Sequence, residues 1–221
     1  MKTLAIVGIG YWGKNIIREF NKLAKIKYAC STGNKSNKNW LNQNYPDIKW
    51  TKNFNEILND KTVDAIIICT PISTHYDYSK LSLEYGKHVF VEKPVTENSQ
   101  DSIKLLELAK KKILIIFVGH IFLYSEIFKK IRSISKKENI KKIILDWKKC
   151  GTFNEKITLN LLTHEISIIL EILGNPKKIY YNDYPNDKNN ISIIATYNSK
   201  ICSINISRIS NLKKKNCYCF Y

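Results

Sequence analysis

Three glycines, Gly8, Gly10 and Gly13, stand between an apolar run and an amphipathic one, and no other stretch of the chain limits the fold as tightly. The run Thr3-Leu4-Ala5-Ile6-Val7 reads as a buried strand. The segment from Lys14 onward carries apolar residues at 16, 17, 20 and 23, which is helix spacing. In such a strand–turn–helix unit the first glycine permits a tight turn. The second lets the backbone approach a diphosphate, and the third lets helix and strand pack closely. The helix N-terminus then offers free N–H groups and the positive end of its dipole to the phosphates. A dinucleotide site at Gly8, Gly10, Tyr11, Trp12 and Gly13 is the expectation.

Residues 1 to about 120 alternate strand and helix patterns, which predicts a doubly wound parallel sheet. Strands are expected at 26–30, 48–50, 63–69, 88–91 and 114–118. Helices are expected at 40–44, 54–58, 74–85 and 99–111, with Thr74 capping its helix through the hydroxyl. The run Val63 to Cys69 is nearly all apolar, as a strand covered on both faces requires.

The pattern changes after Gly119. A helix is expected from Ser125 to Lys136, a strand from Ile140 to Trp147, and one long helix from Ile157 to Leu173, stopped by Gly174. Alternation at 191, 193, 195 and 197, and again at 202, 204 and 206, predicts two antiparallel strands. Residues 121–221 therefore read as an α+β domain with an antiparallel sheet. The tail from Lys213 to Tyr221 fits neither period, so this second domain is expected to be truncated, with an open sheet edge.

Charge narrows the partners. Lys plus Arg number 36 against 19 Asp plus Glu, a net +17. The lysines are scattered and no basic helix face is interleaved with aromatics, so the excess reads as compositional bias and not as a nucleic-acid surface. The field would still attract an anionic cofactor or substrate. Six cysteines form no CxxC and no zinc spacing, which predicts free thiols, no metal and a reducing, cytoplasmic setting. The longest apolar run, Ile113 to Val118, is too short to span a bilayer. The N-terminus enters a core strand at once, so no signal peptide is expected.

Polar motifs sit where strands are expected to end. They are Thr70-Pro71 with Thr74-His75, then Glu92-Lys93-Pro94, then Gly119-His120. Parallel strands share their carboxyl ends, so all of these should gather on the edge that carries the glycine loop. Together with Gly-Ile-Gly-Tyr-Trp-Gly at 8–13, they resemble the Gfo/Idh/MocA family of oxidoreductases over residues 1 to about 210. The GYWG form, with Gly-His-Ile-Phe-Leu-Tyr at 119–124, is similar to members acting on nucleotide-linked amino sugars.

The resemblance implies an NAD- or NADP-binding Rossmann domain. It also implies a second domain whose sheet carries the substrate pocket and the homo-oligomer interface. It makes Lys93 the residue that contacts substrate and nicotinamide ribose and helps move the hydroxyl proton, with Glu92 orienting either that lysine or the cofactor ribose. It makes His164 the general base, four residues after Asn160, where the family more often has Asp. Thr70 and Pro71 become cofactor-edge residues, and His75 a structural or cofactor-edge residue. An acidic residue would be expected about 20 positions beyond the glycines to hold the ribose of NAD. Ser31 stands there instead, with Lys35 and Lys38 nearby, which leans toward tolerance of NADP. The implied reaction is hydride transfer between nicotinamide and a hydroxyl-bearing carbon of a sugar or nucleotide sugar; a truncated, non-catalytic dinucleotide binder is the alternative.

Overall fold

In the computed structural model, which describes residues 1–150, 156–182 and 189–221, the chain divides into two compact units, Met1–Gly119 and His120–Tyr221. The first contains strands β1 (Thr3–Val7), β2 (Lys25–Cys30), β3 (Lys49–Thr51), β4 (Ala65–Ile68), β5 (His88–Val91) and β6 (Ile116–Val118). Its helices are α1 (Tyr11–Phe20), α2 (Lys35–Asn44), α3 (Phe54–Asn59), α4 (His75–Glu84) and α5 (Ser99–Lys111).

The six strands are parallel, in the order β3-β2-β1-β4-β5-β6. This is the dinucleotide-binding order, with its switch point between β1 and β4. Two cores explain why the strands are so apolar. Leu4 and Ile6 of β1 face one layer with Ile17 of α1 and Leu41 of α2. Ala5 and Val7 face the opposite layer with Leu83 of α4 and Leu105 of α5. Complete burial of a side chain such as Ile17 contributes roughly 1.5–3 kcal/mol.

Thr74 does not cap α4 with its hydroxyl, contrary to expectation. A short 3-10 turn, Ile72–Thr74, precedes the helix. The Thr74 Oγ1 is turned back to within 2.7 Å of both Thr70 Oγ1 and the Pro71 carbonyl oxygen.

The second unit contains α6 (Glu126–Lys137), β7 (Lys142–Cys150), α7 (Thr163–Leu173), β8 (Lys178–Asn182), β9 (Asn190–Thr196), β10 (Ile201–Ser207) and β11 (Ile209–Phe220). Its sheet has five strands in the order β11-β7-β10-β9-β8. The expected antiparallel sheet is in fact mixed, because β7 and β10 run parallel. Side-chain alternation reports which face a residue takes and says nothing of strand direction.

The tail that matched no period is a strand: β11 lies antiparallel to β7 across Lys214–Phe220. After β10 the chain bends at the buried Arg208 and returns on the other side of β7, so consecutive strands flank it. The inner face packs Ile143, Leu145, Cys202, Ile204 and Ile206 against Ile168 and Ile169 of α7 and Phe128 of α6. On the opposite face Tyr180, Ile194, Tyr218 and Phe220 are exposed.

The long helix also departs from expectation. Its first part, Thr158–Leu162, is a π-helix that runs into α7. Such wide turns recur at functional sites. Among the described residues, no helix is long and apolar enough to cross a membrane.

Candidate functional site

One edge of the parallel sheet collects the candidate residues of the first unit, and backbone bonds hold them in register. The N–H of Gly8 donates to the Cys30 carbonyl at 2.8 Å, and that of Cys69 to Val7 at 2.8 Å. The N–H of Ser31 donates to Thr51 at 3.1 Å, that of Glu92 to Ile68 at 3.0 Å and that of Gly119 to Val91 at 2.9 Å. Each candidate is thus the first residue past a strand, tied to the last residue of its neighbour.

The glycine loop separates steric need from open space. Gly8 has φ +99°, and a Cβ there would stand 2.5 Å from the Cys69 carbonyl oxygen. A Cβ on Gly13 would stand 1.9 Å from the Gly8 carbonyl oxygen, so α1 can pack this closely only without a side chain. A Cβ on Gly10 would meet nothing within 4 Å. Gly10 is the N-cap of α1, and no acidic residue occupies the first turn to oppose an anion. Tyr11 is 78% exposed and Trp12 55% exposed, their rings edge to face at 5.4 Å.

The next turns along the edge are linked by His75, which is 2% exposed. Its Nδ1 lies 2.8 Å from the Pro94 carbonyl oxygen and its Nε2 2.8 Å from the Thr70 carbonyl oxygen. Both ring nitrogens therefore face backbone carbonyls, of which a neutral imidazole with its single N–H donates to one, and the ring sits between the Thr70-Pro71 turn and the Glu92-Lys93-Pro94 turn. Lys93 and Glu92 are half-buried, and the Lys93–Pro94 peptide is cis. Burial holds the Glu92 carboxyl above the usual carboxylate range, while the Lys93 backbone N–H and ammonium pull it the other way. Gly119 borders this group: a Cβ there would lie 3.2 Å from the Phe90 ring and 3.4 Å from both Glu92 carboxylate oxygens.

At the end of β2 the Ser31 Oγ accepts a hydrogen bond from Trp50 Nε1 at 3.0 Å. The Lys38 ammonium lies 4.4 Å from the centroid of the same indole and that of Lys52 5.9 Å. Asn34 caps α2, accepting from the N–H groups of Ser36 and Asn37. Lys35 begins that helix. Sequence reading found Ser31, Lys35 and Lys38. It missed Trp50 and Lys52, which come from the following strand and turn.

In the second unit Asn160 lies in the π segment and His164 in the first turn of α7. The His164 ring is buried against Phe122, with centroids 4.7 Å apart at 81°, and against Trp147 at 5.7 Å. Phe122 and Trp147 themselves meet edge to face at 5.8 Å. Lys215 of β11 sends its ammonium onto the same two rings, 3.6 Å from the Phe122 centroid and 3.7 Å from that of Trp147. It pairs there with Glu165 Oε1 at 3.0 Å. Glu165 is 1% exposed, and burial raises its carboxyl pKa while lowering that of the Lys215 ammonium. No sequence motif pointed to Lys215, Glu165 or Trp147, whereas Phe122 lies within the stretch 119–124 that carried part of the family resemblance. Among the described residues, no three His, Cys, Asp or Glu side chains are placed to hold a metal.

Comparison with known proteins bears on both units. The family model GFO_IDH_MocA, described as an oxidoreductase family with an NAD-binding Rossmann fold, matches residues 2–120. The chain is 42% identical over 71 residues to scyllo-inositol 2-dehydrogenase (NAD(+)) of Bacillus subtilis, covering 32% of this chain and 21% of that protein. It is 36% identical over 59 residues to UDP-N-acetylglucosamine 3-dehydrogenase of Acidithiobacillus ferrooxidans, covering 27% and 19%. The matched segments span about a fifth to two fifths of the curated relatives' length. In fold, the chain superposes on the crystal structure of a protein described as a probable dehydrogenase from Thermotoga maritima, with a TM-score of 0.89 at 18% identity, covering 99% of this chain and 72% of that one.

Proposed function

We propose, since this chain belongs to the Gfo/Idh/MocA oxidoreductase family with its NAD-binding Rossmann fold, that it is a dehydrogenase moving hydride between a nicotinamide dinucleotide and a ring alcohol of a sugar or nucleotide sugar. One observation carries the reading. Gly8 and Gly13 are glycine because neighbouring backbone forbids a Cβ, whereas Gly10 faces open space at the N-terminus of a ten-residue helix. A side chain at 10 would fill what a diphosphate needs, and the amides there suit an anion.

When bound, the nicotinamide supplies hydride acceptance or donation. This chain's residues do the rest. The amides of Gly10, Tyr11 and Trp12 hold the diphosphate. Lys93 hydrogen-bonds the substrate hydroxyl and helps move its proton, and Glu92 orients Lys93. Thr70 and Pro71 border the dinucleotide, while His75 sets the backbone of both turns. His164 is assigned the general base, a role that imidazole suits near neutral pH, and Asn160 is assigned to orient it. At the ribose end Ser31, with Lys38 and Lys52 gathered on Trp50, supports acceptance of NADP as well as NAD. The exposed face of the second unit's sheet is assigned to self-association. The six free thiols support a reducing, cytoplasmic setting.

The test is turnover with NAD and NADP on inositols and UDP-sugars. Lys93→Ala should lower kcat by about 10²–10⁴ while dinucleotide affinity stays within about threefold. Undiminished turnover in that variant overturns the assignment.

A further inference from the structure

A second cationic group shares the surroundings of His164. Phe122 and Trp147 receive the imidazole at 4.7 and 5.7 Å and the Lys215 ammonium at 3.6 and 3.7 Å. An aromatic face attracts a cation through its quadrupole, and a charged imidazole would draw on the same rings. Lys215 already occupies them. Glu165, the residue after His164, anchors it there with a 3.0 Å ion pair from a position that is 1% exposed.

The register explains how the ammonium of a lysine from a Lys-rich tail reaches these rings while its side chain stays 29% exposed. Lys215 stands opposite Trp147, and Cys217 stands opposite Leu145 on the same inner face. The Lys215 ammonium from β11 lies on these rings, and Glu165 from α7 is its carboxylate partner. Strand β7 contributes Trp147, and the 3-10 turn Ile121–Tyr124 contributes Phe122. The thiols of Cys202 and Cys217 lie within electrostatic reach of Glu165, and burial pushes each up to about 12, so they carry no charge near neutrality.

We propose that Lys215 is a positioning residue for His164: its ammonium, held on Phe122 and Trp147 by Glu165, opposes a second positive charge on the imidazole and keeps His164 in the proton-accepting form. The effect on turnover rests on the reading of His164 as general base; the effect on the imidazole does not.

The experiment follows the His164 imidazole by NMR across a pH titration of the whole chain. Four histidines make assignment by single His→Gln variants direct. Lys215→Met should move the His164 midpoint up by about 1 pH unit, and Glu165→Gln should move it down by a similar amount, since each removes one charge of opposite sign. Lys215→Arg should leave it near the wild-type value. Midpoints unchanged in both variants, or moved in the same direction, overturn the proposal. Should Lys215→Met unfold the chain, Lys215→Gln and Glu165→Gln decide between the same two outcomes. The acid limb of the kcat/KM profile should follow the NMR midpoint. An imidazole midpoint that moves while that limb stays fixed supports the Lys215 proposal and removes His164 from the general-base role.

Discussion

The first unit places its candidate residues by backbone, whereas the second places them by side chains drawn from distant segments. Along the sheet edge, Gly8, Ser31, Cys69, Glu92 and Gly119 are each held by one N–H to the neighbouring strand's last carbonyl. The His75 ring sits between two further carbonyl oxygens, each 2.8 Å from one of its nitrogens. In the second unit the His164 ring packs on Phe122 and Trp147, and the same two rings receive the ammonium of Lys215, which pairs with the buried Glu165. A site built on backbone depends on which residue types the turns tolerate. A site built on a charge cluster depends on every member being present at once.

Substitutions can break that contrast. The largest effect is expected at Gly13→Ala, where the new Cβ meets a carbonyl oxygen; unfolding free energy should fall by about 4–5 kcal/mol in urea titration. Gly10→Ala is its counterpart. Its melting temperature should stay within about 2 °C of wild type, while NAD affinity by calorimetry drops at least about tenfold. Equal stability losses at the two glycines would erase the distinction between packing and ligand space.

Lys215→Met comes next. It strands the buried Glu165, which should cost the second unit about 3 kcal/mol. The double variant Lys215→Met with Glu165→Leu should recover most of this, because a buried ion pair replaced by apolar groups is often neutral. A double variant no better than the single would show that the aromatic contacts, not the charges, matter.

The units should also respond oppositely to acid. Asp60, which follows α3, pairs with Lys27 at 2.6 Å and accepts from Thr62 and Tyr28, and these bonds hold its carboxyl well below the usual range. Such a group stabilises the fold above its unfolded pKa of about 3.9 and loses that contribution as pH falls through its folded value. The loss is on the order of 1 kcal/mol after solvent screening. Glu165 is shifted upward, so its ionisation weakens the fold as pH rises through its folded value, and acid relieves that cost. Urea midpoints followed from pH 7 down to about pH 2, read by probes in each unit, check the two signs. The smallest effects are expected at the helix caps: Asn34→Ala and Ser125→Ala each remove an N-cap acceptor and should cost about 0.5–1 kcal/mol, one in each unit.

What could be read from residues follows the same division. Gly8 to Gly13, the apolar run before Cys69 and Glu92-Lys93-Pro94 are local signals, and the parallel sheet followed from their spacing. The second unit hides its order. In β11 the outward residues Tyr218 and Phe220 are as apolar as the inward Cys217 and Cys219, and Lys215 points inward, so alternation is lost. The parallel pairing of β7 with β10 was invisible because face patterning carries no direction. The π segment around Asn160 left no mark, since one wide turn keeps the helical apolar pattern nearly intact. The Lys215 cluster joins residues almost a hundred positions apart, and no short motif could announce it.

The bend at Arg208 reaches beyond packing. Strand β7 is formed early in the chain's second half, yet both of its hydrogen-bonded neighbours come more than fifty residues later. During synthesis on a ribosome, the first unit can close once Gly119 has emerged, whereas β7 must wait with both flanks bare. That interval leaves a nine-residue strand open to pairing with other nascent chains, which makes β7 the segment where a chaperone would have most to protect.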